Sequence, residues 1–139
     1  MKKRPPPVTL LTLSVLSLTV WNAVRFGTAL TQWTALAEFA TPPGPLYIAA
    51  TGLFWTLAGA VLTFGLWLGQ RWARPLAGLA GIGYAAYYWL DRLLSPHGTY
   101  RSNWPCAAAF SLLWLIAFLS ALSLPQSQTF FEKERQQHE

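Results

Sequence analysis

Four stretches of this chain, residues 8–25, 46–68, 75–94 and 105–124, keep their charges to the ends, and that pattern constrains the fold more than any motif does. A bilayer core about 30 Å thick takes about 20 helical residues to cross. The pattern therefore predicts an all-α, polytopic membrane protein in which four transmembrane helices form a bundle and residues 1–139 make a single membrane domain. Charged residues make up only 11% of the chain, against about a quarter in a soluble domain, while hydrophobic residues reach 53%. Outside the spans too little chain remains to bury a second core, which excludes enzymes with large extramembrane domains.

Prolines mark the span boundaries. Pro45, Pro75 and Pro105 stand at or just before the starts of the second, third and fourth spans. A missing N–H costs nothing there, because first-turn donors have no intrahelical partner. The short connection Gly69-Gln70-Arg71-Trp72-Ala73-Arg74 predicts an antiparallel hairpin between the second and third helices. Residues 28–40 carry Leu30, Trp33 and Ala37 at helical spacing before the breaker Thr41-Pro42-Pro43-Gly44-Pro45, which predicts a short interfacial helix on the outer side. Residues 125–139 form a cytoplasmic tail, in which Thr129 and Glu132 have capping-box spacing and start a short polar helix.

Lys and Arg are retained on the cytoplasmic side of short loops. With the N-terminus inside, that side collects Lys2, Lys3, Arg4, Arg71, Arg74, Lys133 and Arg135, and the other side holds Arg25, Arg92 and Arg101. Both termini are therefore expected in the cytoplasm of a multi-pass protein of the cell membrane. The first span also has the layout of a signal peptide, with Lys2, Lys3 and Arg4 before an apolar core and Ala35-Leu36-Ala37 as a small-residue cleavage site. The stretch from Trp21 to Ala37 is far too long for a signal-peptide c-region, which favours a retained span.

The net charge of +5 does not point to nucleic acid, since the basic residues flank apolar spans and form no solvated basic face. Anionic lipid headgroups on the cytoplasmic side are the expected partners, with Arg71, Trp72 and Arg74 as anchors.

Small residues let membrane helices approach closely. In the second span Ala49, Gly52, Thr56, Gly59 and Thr63 share a face, in the third Ala77, Gly78, Gly81 and Ala85, and in the fourth Cys106, Ala109, Ser120 and Ser123. Of these, Gly52, Thr56, Gly59 and Gly81 are the expected packing positions, whether within one bundle, between protomers or against a partner membrane protein. Thr12, Thr19 and Asn22 share a face of the first span and are expected to turn inward. Trp55 and Trp114, well inside their spans, are expected to pack between helices.

The strongest local signal is Tyr84-Ala85-Ala86-Tyr87-Tyr88-Trp89-Leu90-Asp91-Arg92. Helical spacing puts Tyr84, Tyr87 or Tyr88, and Asp91 on one face. A carboxylate near the bilayer needs a cation, and Arg25 is the first candidate with Arg101 the second. Arg25, Tyr84, Tyr88, Asp91 and Arg92 thus form either a structural ion pair within an aromatic belt or an outward-facing pocket.

Catalytic chemistry finds no purchase. No nucleophile, base and orienter can be assembled, and no glycine loop cradles phosphate. Cys106 is the single cysteine, and His97 and His138 fall on opposite sides of the membrane, so neither a redox pair, a haem nor a metal centre is expected, and no cofactor.

The segments Arg4-Pro5-Pro6-Pro7-Val8-Thr9-Leu10-Leu11 and Gly65-Leu66-Trp67-Leu68-Gly69-Gln70-Arg71-Trp72-Ala73-Arg74 resemble stretches of small, uncharacterised four-span integral membrane proteins of bacteria. The resemblance implies a bacterial inner-membrane protein and transfers no catalytic or binding residue. Two better-known four-span families do not fit. Small multidrug exporters carry a glutamate in their first helix, and vitamin K epoxide reductase-like enzymes need paired cysteines.

These readings lead to a non-enzymatic accessory or scaffold subunit that packs against partner helices. A small transporter, or a protein that binds lipid, quinone or cation in the outer aromatic and acidic pocket, is the alternative.

Overall fold

The computed structural model describes residues 5–39, 44–94 and 103–125, together with residues 127 and 129. Within them the chain forms helices only: α1 (Pro6–Thr31), α2 (Trp33–Phe39), α3 (Pro45–Trp67), α4 (Ala73–Leu94) and α5 (Trp104–Ser123). Prolines open them, with Pro6 and Pro7 in the first turn of α1, Pro45 in that of α3, Pro75 in that of α4 and Pro105 in that of α5. Expectations that concern Lys2, Lys3, Arg4, His97, Arg101, Phe130, Phe131, Glu132, Lys133, Arg135 and His138 lie outside the described residues.

Three helices, α1, α3 and α5, are long and apolar enough to cross a membrane. α4 has 22 residues, but its glycines, its three tyrosines and its terminal Arg74, Asp91 and Arg92 dilute its hydropathy.

The first helix is longer than expected. It continues through Phe26 to Thr31, because nothing stronger than Gly27 interrupts it, and a backbone break at Gln32 (φ −108°, ψ 25°) separates it from α2. Within the segment 28–40, expected to hold a single short helix, residues 28–31 are the last turn of α1 and Trp33–Phe39 form α2.

The turn after α3 has a clear cause. Gly69 takes φ 72°, and the Gln70 and Gly69 N–H groups donate to the Gly65 and Leu66 carbonyls at 2.9 and 3.3 Å. This double closure is the Schellman ending, which asks for glycine at the left-handed position. Although that turn is short, the most extensive helix pairing is between α1 and α3. Glycine placement accounts for it. A Cβ added at Gly52 would meet the Phe26 backbone N at 3.1 Å, and one at Gly59 would collide with the Thr19 hydroxyl, so both glycines face α1. Gly81 on α4 similarly faces the Phe118 ring of α5 at 2.9 Å.

The core lies toward the end of the bundle where α1 starts. Val8, Leu11, Val15, Leu62, Leu66, Ala73, Ala77, Phe118 and Leu122 close together there. α5 contributes Phe118 and Leu122 to it, while its small residues Cys106, Ala109, Ser120 and Ser123 are exposed. The bulky Phe118 and Leu122 fill the space opened by Gly81 and Gly78, which rotates the small face of α5 outward.

Polar residues inside α1 are reconciled with an apolar interior by local hydrogen bonds. The Thr12 and Thr19 hydroxyls donate to the Val8 and Val15 carbonyls at 2.8 and 2.7 Å, and Asn22 Nδ2 donates to the Leu18 carbonyl at 2.8 Å. Each of these donors is satisfied one turn back on its own helix.

Candidate functional site

At the opposite end from the apolar core, three helices converge through long polar side chains. Arg25 comes from late in α1, Tyr47 from the first turn of α3, and Tyr87 and Asp91 from late in α4. Arg25 Nη2 lies 3.5 Å from Asp91 Oδ2, with the two side chains 27% and 26% exposed. Its Nη1 donates to the Tyr87 hydroxyl at 2.7 Å, and its guanidinium lies 5.9 Å from the Tyr87 ring centre. The Tyr47 hydroxyl faces Asp91 closely enough to hydrogen-bond the carboxylate. Each charge therefore has a partner from another helix, which offsets the cost of withdrawing it from water.

Aromatic rings carry the cluster into the bundle. Trp55 of α3 meets Tyr84 edge-on with ring centres 5.0 Å apart and lies 5.7 Å from Tyr87. Such contacts bridge α3 and α4 where large side chains hold the backbones apart.

The candidate residues divide into two groups. Arg25, Tyr84 and Asp91 belong to this cluster, whereas Tyr88 and Arg92 form a pair of their own, Arg92 Nη1 donating to the Tyr88 hydroxyl at 3.0 Å. Arg92 also sits 6.0 Å from the Trp89 ring centre, and Trp89 Nε1 donates to Ser111 Oγ of α5 at 3.2 Å. Tyr84, three residues from Tyr87 and four from Tyr88, is compatible with either neighbour by spacing alone. It is Tyr87 that reaches Arg25. Tyr47 was not singled out from the sequence, since a lone tyrosine at the start of a span reads as a membrane-interface residue.

Between the ion pair and the apolar core lies a small cavity of about 40 Å³, bounded by α1, α3, α4 and α5. Gly59, Ala80 and Gly81 leave the space, and Trp55, Tyr84, Trp114 and Phe118 wall it. Asn22, 1% exposed, lines it. Its Nδ2 reaches the Tyr84 hydroxyl at 3.4 Å, but its Oδ1 is buried without a hydrogen-bond partner, as is Thr63 Oγ1. An unmet buried acceptor costs about 1–3 kcal/mol.

The other end of the bundle holds the expected lipid anchors. Arg71 is exposed, and Trp72 lies across Gly65, where a Cβ would meet its ring at 2.6 Å. Arg74 is half-buried, and its Nε donates to the Leu122 carbonyl at 3.1 Å, while Ser127 Oγ donates to Ala121 at 2.7 Å. The Ala121 carbonyl would otherwise lack its helical donor, because the residue four positions on is Pro125, which has no N–H. Among the described residues, no three His, Cys, Asp or Glu side chains are grouped to hold a metal ion.

Comparison with protein-family models, with curated proteins and with solved structures found no match to the chain.

Proposed function

We propose that this is a non-enzymatic integral membrane protein, an accessory or scaffold subunit whose helices pack against partner helices in a bacterial inner membrane. In this reading α1, α3, α4 and α5 each cross the bilayer, α3 and α4 as an antiparallel hairpin, with both termini in the cytoplasm. The positions of Arg71 and Arg74 at one end, and of Arg25 and Arg92 at the other, support that orientation by the distribution of basic residues. Arg71 and Trp72 then meet anionic headgroups on the cytoplasmic side.

The observation that carries the proposal is the pairing of Asp91 with Arg25 and Tyr47. A transporter or cation-binding pocket built on Asp91 needs that carboxylate to face a substrate, and here it faces the protein. The arrangement supports a clamp that sets helix positions. The outward-facing Cys106, Ala109 and Ser120 of α5 are compatible with close approach by another helix, either a partner or a second copy.

Native mass spectrometry of the full-length protein from its own membrane, wild type and Asp91→Asn, tests the proposal. A stoichiometric membrane-protein partner or a defined oligomer, retained in wild type, is the expected result. A small molecule bound to a monomer and lost only on Asp91→Asn would instead establish the ligand-pocket alternative.

A further inference from the structure

A space much larger than the inner cavity lies between α1, α4 and α5, toward the end of the bundle that carries Arg25 and Arg92. It is a groove of about 430 Å³ with Trp21, Ala107, Phe110 and Trp114 among its walls, which are almost wholly apolar. Trp21 and Phe110 are 66% and 75% exposed, so the rim of the groove faces outward from the bundle. On α5 it runs from Ala107 to Trp114, about 10 Å of helix, which is within one leaflet of a bilayer core about 30 Å thick. A methylene group is close in size to a water molecule, about 30 Å³ in the liquid, which gives the groove room for about 14 of them. A helix about 10–12 Å across takes up roughly twice the volume of the groove over the same length, so it would lie half outside.

The groove has a polar end. Tyr88 lines it and is 38% exposed, and the Tyr88 hydroxyl accepts from Arg92 Nη1 at 3.0 Å in a bond that is itself exposed. The Tyr88 proton therefore remains to be donated, beside a guanidinium that keeps its charge at every physiological pH. Arg92 lies in the last turn of α4, one turn beyond Tyr88, so a donor and a cation stand together where the groove meets the end of the bundle. Ser111, also on the wall, is engaged within the fold, donating to the Ala108 carbonyl at 3.1 Å and accepting from Trp89 Nε1 at 3.2 Å. Arg25, the other described cation at this end, is turned to Asp91 and Tyr87.

We propose that this groove binds one phospholipid of the adjoining leaflet, with its acyl chains along Trp21, Phe110 and Trp114 and its phosphate against Tyr88 and Arg92. A phosphodiester is negatively charged and only accepts hydrogen bonds, which matches a tyrosine proton and a guanidinium, and its chains match the apolar walls. A partner helix brings apolar surface but no charge for Arg92. A quinone or a diacylglycerol has the apolar body without the anion. The site rests on α1, α4 and α5 crossing the bilayer as proposed above, and does not depend on the accessory role or on the Arg25 and Asp91 cluster.

The full-length protein, stripped of lipid in detergent, is titrated with dioleoyl phosphatidylglycerol and, separately, with dioleoylglycerol, which has the same chains without the phosphate. Native mass spectrometry counts the bound lipid. Wild type is expected to bind one phosphatidylglycerol with an affinity on the order of tenfold above each later one and above dioleoylglycerol, as one charge-assisted hydrogen bond would give. Arg92→Gln is expected to remove that preference. Ala107→Phe, which fills the groove and spares Tyr88 and Arg92, is expected to remove the first site, and Arg71→Gln, at the other end of the bundle, to leave it unchanged. A statistical distribution of lipid in wild type, equal binding of the two probes, or a first lipid that survives Ala107→Phe would each overturn the proposal. Ala107→Phe decides the matter should Arg92→Gln fail to fold. Protein that stays monodisperse once detergent is removed would overturn the membrane-spanning reading itself, an outcome that no lipid count produces.

Discussion

Arg25 on α1 and Asp91 on α4 meet at 3.5 Å, and Tyr87 and Tyr47 complete the contact from α4 and α3. Three helices are thereby tied at the end of the bundle where the apolar core is absent. With each side chain about a quarter exposed, the pair falls between exposed pairs, worth about 0–1 kcal/mol, and buried ones, whose disruption costs about 3–5 kcal/mol. Asp91→Asn and Arg25→Gln are each expected to lower unfolding stability in detergent by about 1–2 kcal/mol, and the double variant by less than the sum. Additive losses in that double-mutant cycle would show that the two residues act independently.

Close approach of α1 and α3 leads to a second expectation. Gly59 has no room for a side chain beside Thr19, and Gly52 has little beside the Phe26 backbone, whereas Gly27 has nothing within 4 Å. Gly59→Leu is expected to cost about 1–3 kcal/mol through overpacking. Gly27→Ala, in the same helix pair but in open space, is expected to be neutral or to stabilise by about 0.5–1 kcal/mol. Thermal unfolding followed by circular dichroism checks both, and equal effects would remove the glycine contact as the reason for this pairing.

Retention of α1 follows from burial. Val8, Leu11, Val15 and Asn22 are among its buried residues, and Arg25 supplies the cation for Asp91. Removal of residues 1–37 would strip α3 of its most extensive neighbour and leave Asp91 without that guanidinium. The mature protein is therefore expected to keep this helix, which intact mass measurement of membrane-purified material tests directly. A mass that lacks residues 1–37 would identify the segment as a cleaved signal peptide.

Helix positions were legible in the sequence because span length and proline placement are local: Pro45, Pro75 and Pro105 fall within the first turns of α3, α4 and α5. Which faces meet was less so. The short Gly69 turn pointed to α3 and α4 as antiparallel neighbours, but the most extensive pairing, that of α1 with α3, is set by Gly52 and Gly59, and a face of glycines does not name its partner. On α5 the small residues point outward because Phe118 and Leu122 fit the gaps beside Gly81 and Gly78, a match between two helices that neither carries alone. The Arg25 and Asp91 pair was recoverable from depth and charge. Tyr47 and the choice of Tyr87 over Tyr88 depend on helix rotation, which spacing leaves open within one residue.

Arg71 and Arg74 lie three residues apart yet are expected to behave differently when replaced. Arg74 donates from Nε to the Leu122 carbonyl at 3.1 Å and brings positive charge to the C-terminal end of α5, where the helix dipole favours it. Arg71 is exposed, with its charge free to meet lipid. Arg74→Gln is expected to lower unfolding stability by about 0.5–1.5 kcal/mol in a zwitterionic detergent, the net worth of one hydrogen bond. Arg71→Gln should leave stability there unchanged but weaken the stabilisation gained on adding phosphatidylglycerol, an effect on the order of 1 kcal/mol per basic residue at an anionic surface. Thermal shifts with and without the anionic lipid separate the two roles. If Arg71→Gln alone destabilises the lipid-free protein, its role is within the fold, and the headgroup contact assigned to it is wrong.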